Sequence, residues 1–168
     1  KHIRECGAVP TFIGYPPNAG KYAFQHAICA SINEEIVHGI PSAKRILREG
    51  DIFTIDIGAT YKGYVGDTAI TVPVGKIAAE ARKLLETTKE SLDLAIAVIR
   101  PGAKLSQIGS AVEEHAKKRG FNVVKNYCGQ GGGRDLHEAP QVPNYYDPKF
   151  RTQDLVLKAG LVLAIEPM

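Results

Sequence analysis

The sequence has few of the features that mark several classes of protein. Its 168 residues include three cysteines (Cys6, Cys29 and Cys128), an odd number without a CxxC pair, which argues against a disulfide framework or a zinc-thiolate site. No apolar run approaches the roughly 18 residues that a membrane helix needs. The opening residues KHIRECGAVP lack the charged-then-apolar order of a secretory signal. We therefore expect a cytoplasmic protein with reduced thiols and no membrane partner.

An excess of charge of one sign is also missing. Lysine and arginine total 21 against 18 aspartate and glutamate residues, and the basic residues are scattered in pairs and triplets. Nucleic-acid recognition requires basic residues gathered on one surface, so we expect no nucleic-acid partner. Hydrophobic residues make up 44% of the chain, enough for one sizeable core. At this length we expect a single domain over residues 1–168.

The pattern of apolar residues predicts an α+β fold. Ser106 is the expected N-cap of the second of two helices and Gly120 its C-terminal stop. Strands followed by helices and then by strands favour helices packed on a mainly antiparallel sheet. The predicted elements are strands over 11–15, 27–34, 121–125 and 160–166, a β-hairpin over 50–75, helices over 77–99 and 106–119, and a loop-rich stretch over 126–158.

Two aspartates stand in the strands of the predicted hairpin, where an unpaired charge is costly. If the turn is centred on Lys62-Gly63, residue 58 faces residue 67 and Asp56 lies diagonally across from Asp67 on one face of the sheet. Paired carboxylates in a poorly solvated place suit a divalent cation between them. A metal site is one interpretation; the other is that each aspartate caps a loop or points to solvent.

Three more positions are candidates for chemistry. Glu166 follows the almost wholly apolar AGLVLAI, so it is a candidate third acidic ligand. His137 comes just after a run of three glycines that permits close approach of the backbone; phosphate binding there is less favoured, because no GxxxxGK[ST] motif is present. His38, in IVHGIP, is expected on a turn at the end of a strand, where it contacts either a substrate or the loop backbone.

Four motifs in the same order resemble those of type I methionine aminopeptidases. They are SINEEIVHGIP (31–41), REGDIFTIDIGATYKGYVGDTAITVPVG (48–75), GRDLHEAPQVPNY (133–145) and LAIEPM (163–168). The resemblance runs along nearly the whole chain. It implies the pita-bread fold, a curved antiparallel sheet with helices on its outer face, and a monomeric metalloenzyme that removes the initiator methionine from new proteins.

The resemblance also implies a set of metal ligands. Asp56, Asp67 and Glu166 match three ligands of up to two divalent ions of the Mn, Co, Fe or Zn class. Gln130 stands where the family has a histidine ligand, and an amide oxygen is a weaker donor to a transition metal than imidazole. We therefore expect weakened or altered metal binding. By the same comparison, the chain begins after the family's N-terminal helical part and stops before its last strands and last glutamate ligand.

Substrate-binding residues follow from the resemblance in the same way. His38 and His137 match the catalytic histidines that contact the substrate, a peptide or nascent-chain N-terminus, and the tetrahedral intermediate. Tyr15, Cys29 and Leu136 match the pocket for the methionine side chain, which the longer stretch over residues 16–27 is expected to reshape. Two other functions remain as alternatives: an inactive homologue or fragment that binds peptide N-termini or a partner, and a related Xaa-Pro hydrolase.

Overall fold

The computed structural model describes residues 1–16 and 22–168 of the chain. They form two compact units, Lys1–Ala81 with Gly133–Leu136, and Arg82–Gly132 with His137–Met168. Helices and antiparallel strands are both present, as the α+β class predicts. The elements are α1 (His2–Glu5), β1 (Val9–Pro10), β2 (Cys29–Ile32), β3 (Ile52–Tyr61), β4 (Tyr64–Pro73), α2 (Ala79–Ala97), α3 (Leu105–Lys118), β5 (Gly129–Gly131), β6 (Glu138–Val142), a 3₁₀ helix (Pro148–Arg151) and β7 (Leu163–Ala164).

The first unit contains an antiparallel sheet built around β3. Strand β4 pairs with β3 along its whole length, and β1 and β2 pair with different parts of its other edge. Lys62 and Gly63 have φ angles of 50° and 80°, which is the backbone that a tight two-residue hairpin turn requires. Tyr61 faces Tyr64 and residue 58 faces residue 67. The predicted hairpin and its register are therefore confirmed.

The second unit packs α2 and α3 against a three-stranded antiparallel sheet in the order β6-β5-β7. Helix α3 contributes the largest share of the core, because Leu105, Ile108 and Val112 recur at three- and four-residue spacing on one of its faces. The predicted helix over 77–99 is confirmed as α2, with Ala95 fully buried. The buried core comprises Ala95, Ala103, Leu105, Ile108, Val112, Val142, Phe150 and Leu157.

Three predicted strands differ from the structure. Residues 11–14 form a turn and the strand lies just before them, at Val9–Pro10, because Tyr15 N–H donates to the Phe12 carbonyl and folds the chain back. No strand is assigned over 121–125, where Val124 N–H donates to the Met168 carbonyl. Strand β7 is shorter than the predicted 160–166, and β5 and β6 form inside the stretch expected to be loop.

The start of α3 also differs from its prediction. The helix begins at Leu105 with Lys104 as its N-cap, and Ser106 lies buried in the first turn. The Ser106 hydroxyl donates to Asp154 Oδ2 at 2.6 Å, and Asp154 Oδ1 accepts the Ser106 backbone N–H at 3.1 Å. An aspartate distant in sequence therefore accepts one of the backbone N–H groups that the helix start leaves without an intrahelical partner. Gly120, with a φ of 87°, follows the helix end as predicted.

Over residues 1–16 and 22–168, no helix is both long enough and apolar enough to cross a membrane.

Candidate metal centre

Asp56 lies in the middle of the four-stranded sheet of the first unit. Strand β3 places it directly opposite Cys29 of β2 and Ala69 of β4. Asp67 is opposite Gly58, two residues along β4 from Ala69, and so lies on the same face of the sheet. The two carboxylates are diagonal neighbours that interact through a side-chain hydrogen bond.

The environment of Asp56 opposes its negative charge. Burial raises the pKa of its carboxyl from 3.8 to about 6, and the adjacent charge of Asp67 and the hydrogen bond to it act in the same direction. A hydrogen bond with Cys29 opposes the shift. The Oδ1 atom of Asp56 is buried and has no hydrogen-bond partner in the part of the chain that the structure describes. A buried carboxylate oxygen of this kind needs a proton or a cation.

Cys29 acts as a hydrogen-bond donor toward this carboxylate. Burial raises the pKa of its thiol to about 12, and the charges of Asp56 and Asp67 and the hydrogen bond to Asp56 add to the effect. A thiol with so high a pKa stays protonated near neutral pH in the metal-free chain. Its S–H stabilises the ionised form of Asp56.

The Asp56–Asp67 pair matches the donor chemistry of a divalent cation. Two carboxylates on one face, with one buried oxygen unsatisfied, suit a hard or borderline ion. Among residues 1–16 and 22–168, no group of three or more histidine, cysteine, aspartate or glutamate side chains is gathered closely enough to hold a metal ion. The first unit thus fits a divalent cation with two donors.

Gln130 and Glu166 lie in the second unit. Gln130 is only 6% exposed and faces Ala164 of β7 on one side and Gln141 of β6 on the other. Glu166 comes two residues after Ala164. The charge of Glu166, after burial itself, raises the pKa of the Cys128 thiol, so this carboxylate lies close to the edge of β5. Gln130 and strand β7, which ends two residues before Glu166, therefore belong to one small sheet.

The two candidate catalytic histidines are both exposed. His38 follows β2 and has a φ of 60°, which is uncommon for a residue with a side chain. The next residue, Gly39, is buried; its N–H donates to Ser31 Oγ and its carbonyl accepts from Ala30 N–H. His38 therefore stands on a loop held against β2, six residues after that strand ends, and the turn lies earlier, at residues 33–34. His137 comes immediately before β6.

The three predicted pocket residues lie together in the first unit. Cys29 and Leu136 form a buried cluster with Phe12, and Tyr15 packs against it. Sequence reasoning missed Phe12, although an aromatic residue within TFIGY is the kind of side chain that lines apolar pockets. Within the longer stretch 16–27, residues 17–21 lie outside the described part of the chain. Phe24 is described and packs edge-on against Phe12, with ring centroids 6.4 Å apart.

The sequence matches the model of metallopeptidase family M24 over residues 6–168. The chain belongs to metallopeptidase family M24. This M24 member is 47% identical over 168 residues to methionine aminopeptidase 1 of Bacillus subtilis, and it spans 64% of the length of that relative. The resemblance seen in the four motifs is thus confirmed as similarity to methionine aminopeptidases within this family. Membership of a metallopeptidase family implies divalent metal ions as the cofactor.

Solved structures agree with the family assignment. The methionine aminopeptidase of Thermotoga maritima superposes with a TM-score of 0.90 at 40% identity, covering 98% of this M24 chain and 63% of that protein. The prolidase of Pyrococcus furiosus is less similar, with a TM-score of 0.69 at 31% identity over 83% of this chain and 40% of its own. The likeness to methionine aminopeptidase confirms the predicted pita-bread fold class.

Proposed function

We propose that this chain is a metal-dependent methionine aminopeptidase that removes the N-terminal methionine from nascent proteins and peptides. The observation that carries the proposal is the half-buried Asp56–Asp67 pair, with the buried and unsatisfied Oδ1 of Asp56, in a sequence 47% identical to a methionine aminopeptidase. Two like charges are retained in a sheet interior at a cost in stability, which a bound cation would offset.

In this proposal the metal ligands are Asp56, Asp67 and Glu166, which would hold up to two divalent ions of the Mn, Co, Fe or Zn class. Gln130 would be a weak additional donor through its amide oxygen. Such ions, when bound, act as Lewis acids and lower the pKa of a bound water. Gln130 is buried in β5, which supports a role for its side chain in the protein interior.

The other residues bind and orient the peptide. His38 and His137 are exposed, so their imidazoles can donate hydrogen bonds to the carbonyl oxygen of the substrate and to the tetrahedral species that forms from it. The cluster of Cys29 and Leu136, flanked by Tyr15, offers an apolar wall for the unbranched methionine side chain. A protonated Cys29 can take this position because a neutral thiol packs like a small apolar group.

Two competing functions have an observation in their favour. Gln130 at a ligand position supports an inactive homologue that binds peptide N-termini or a partner without cleaving. The similarity to a prolidase of Pyrococcus furiosus supports an Xaa-Pro hydrolase, although its lower TM-score favours the methionine enzyme. A substrate panel separates the three.

The setting of the activity belongs to the same proposal. We place the function in one catalytic domain over residues 1–168, because the family model runs without a break over 6–168. A cytoplasmic location is supported by three free cysteines, which a reducing compartment keeps as thiols. We further propose that the protein is a monomer. Light scattering after size-exclusion chromatography would test the oligomeric state, and cell fractionation would test the location.

The decisive experiment measures hydrolysis of a Met-Ala-Ser peptide with added Mn²⁺ or Co²⁺. The unaltered chain should release methionine, and Gln130→His should do so about 10-fold faster, because imidazole is the better ligand. Gln153→His serves as the control: it makes the same substitution at an exposed position outside the strands and should leave the rate unchanged. An Xaa-Pro dipeptide is the counter-substrate.

Each outcome of this assay favours one function. Release of methionine by the unaltered chain supports the proposal. Release by Gln130→His alone would show that Gln130 abolishes the activity and would favour the inactive homologue. Cleavage of the Xaa-Pro dipeptide alone would assign the prolidase-like function. If neither protein cleaves any of the substrates while calorimetry shows that Mn²⁺ binds, the result would favour the inactive homologue that binds peptide N-termini or a partner.

A further inference from the structure

The carbonyl of Glu166 is bound by a buried side chain. Asn144 Nδ2 donates to the Glu166 carbonyl oxygen at 2.7 Å. Asn144 is only 1% exposed, which makes it one of the most deeply buried polar residues in the described part of the chain. A buried amide persists where it satisfies another buried polar group. The bond thus connects the interior of the second unit directly to the backbone of a candidate ligand.

The local backbone explains why a side chain is needed at this point. Strand β7 ends at Ala164, so Glu166 lies beyond the regular ladder. The next residue, Pro167, has no N–H and cannot take part in a strand as a donor. On either side the hydrogen bonds are between backbone groups: Gly132 N–H donates to the Val162 carbonyl, and Val124 N–H donates to the Met168 carbonyl. At Glu166 the amide of Asn144 takes the place of such a bond.

Helix α3 fixes the segment that carries Asn144. A Cβ atom built on Gly109 would lie 2.5 Å from the carbonyl oxygens of both Pro143 and Tyr145, closer than real Cβ contacts allow. The backbone on both sides of Asn144 therefore rests directly on the helix. Glu113, one turn further along α3, accepts the Tyr146 N–H at 3.2 Å. The helix, Asn144 and the Glu166 backbone thus form a continuous chain of contacts.

We propose that Asn144 is a positioning residue that holds the Glu166 carboxylate in place for metal binding. The proposal rests on the proposed function, in which Glu166 is a metal ligand. A ligand is useful only when its donor atoms are held within about 0.5 Å of the productive position. Residues behind the ligands commonly change metal affinity by about 10–100-fold when they are altered. Asn144 acts on the backbone of Glu166 and does not itself contact the metal.

The test measures the Mn²⁺ affinity of the full chain by calorimetry. Asn144→Leu keeps nearly the same volume but removes the donor, and should weaken Mn²⁺ binding at least about 10-fold. Asn144→His should retain more of the affinity. The histidine Nδ1 lies the same number of bonds from Cβ as the asparagine Nδ2, so its N–H can still donate to the Glu166 carbonyl. In an E166Q background, Asn144→Leu should have little further effect, since its action passes through Glu166.

Ser106→Ala is the matched control for loss of stability. Ser106 is another buried polar residue of the second unit, and its hydroxyl donates to Asp154, so the variant should lower Tm but leave Mn²⁺ affinity within about twofold. Only variants with a cooperative melting transition are compared. If Asn144→Leu does not fold, Asn144→Ser, which is too short to reach the Glu166 carbonyl, takes its place.

The two proposals fail in different ways. If the unaltered chain and E166Q bind Mn²⁺ equally, or neither binds it, the proposed function fails and this inference with it. If E166Q loses binding but the Asn144 variants bind like the unaltered chain, only the inference is overturned. Equal losses of affinity for Ser106→Ala and Asn144→Leu would also overturn it, because the effect would then be one of general stability.

Discussion

Asp56 is the residue whose environment is most directly tied to chemistry. It sits between a thiol that donates to it and a second carboxylate that repels its charge. Burial weakens solvation and strengthens that repulsion. Because the pKa of Asp56 is raised to about 6, metal binding at Asp56 should release a proton at and below about pH 6.

The first prediction concerns pH and the metal-free chain. Because the pKa of Asp56 is about 6 in the folded state against an ordinary 3.8, its protonated form favours folding. That contribution is fully present below about pH 4 and is lost as the pH rises through about 6. The free energy of unfolding, measured with urea from pH 4 to 7, should therefore fall more steeply for the unaltered chain than for Asp56→Asn. Parallel curves for the two proteins would contradict the pKa shift.

At the scale of an element, the loop that carries His38 depends on close packing against β2. Gly39 exchanges hydrogen bonds with Ala30 and Ser31. A Cβ atom on Gly39 would lie 2.3 Å from the Ala30 carbonyl oxygen and 2.8 Å from Ser31 Cα. These atoms belong to the backbone of a strand that is paired on its other edge with β3, so they cannot move aside cheaply. A residue without a side chain is therefore required beside His38.

The second prediction follows from this contact. Gly39→Ala should lower the free energy of unfolding by about 1–3 kcal/mol, the usual cost of overpacking, and should reduce peptide hydrolysis by displacing His38. The control is Gly66→Ala in β4, where the nearest atom to a new Cβ is 3.9 Å away and no loss of stability is expected. Urea denaturation measures the free energy of unfolding of both variants. A Gly39→Ala protein as stable as the Gly66→Ala control would show that the loop can relax.

At the scale of the whole molecule, ligand binding and folding are linked. Each of the two units has its own buried cluster, and the candidate metal ligands are distributed over both. Any ion that binds the folded chain and not the unfolded one shifts the folding equilibrium by mass action. Stability in the presence of metal is therefore a test of the site that does not depend on turnover.

The third prediction is a rise in Tm on addition of Mn²⁺. At a free concentration 100 times the Kd, binding should stabilise the folded chain by about 2.7 kcal/mol, which corresponds to about 5–10 °C for a chain of this size. Chelation should reverse the shift. Asp67→Asn should melt at the same temperature with and without Mn²⁺; a Tm rise equal to that of the unaltered chain would exclude Asp67 as a ligand.

Local patterns were sufficient for part of this fold. The hairpin follows from alternating residues on both sides of Lys62-Gly63, so its register and the diagonal placement of Asp56 and Asp67 could be predicted without any distant contact. Helix α2 is similarly encoded by its own apolar spacing. The family was evident from long motifs, and comparison with known proteins confirms it.

The sequence by itself thus determined the hairpin, the long helix and the family, because each depends on neighbouring residues or on a continuous motif. Only the tertiary structure decided the short strands β5 and β6, whose glycines and proline carry no alternating pattern and which form by pairing with distant segments. It also decided the role of Asp154 at the start of α3 and of Asn144 beneath Glu166. A buried polar residue resembles a loop residue in sequence, and only its packing shows which group it satisfies.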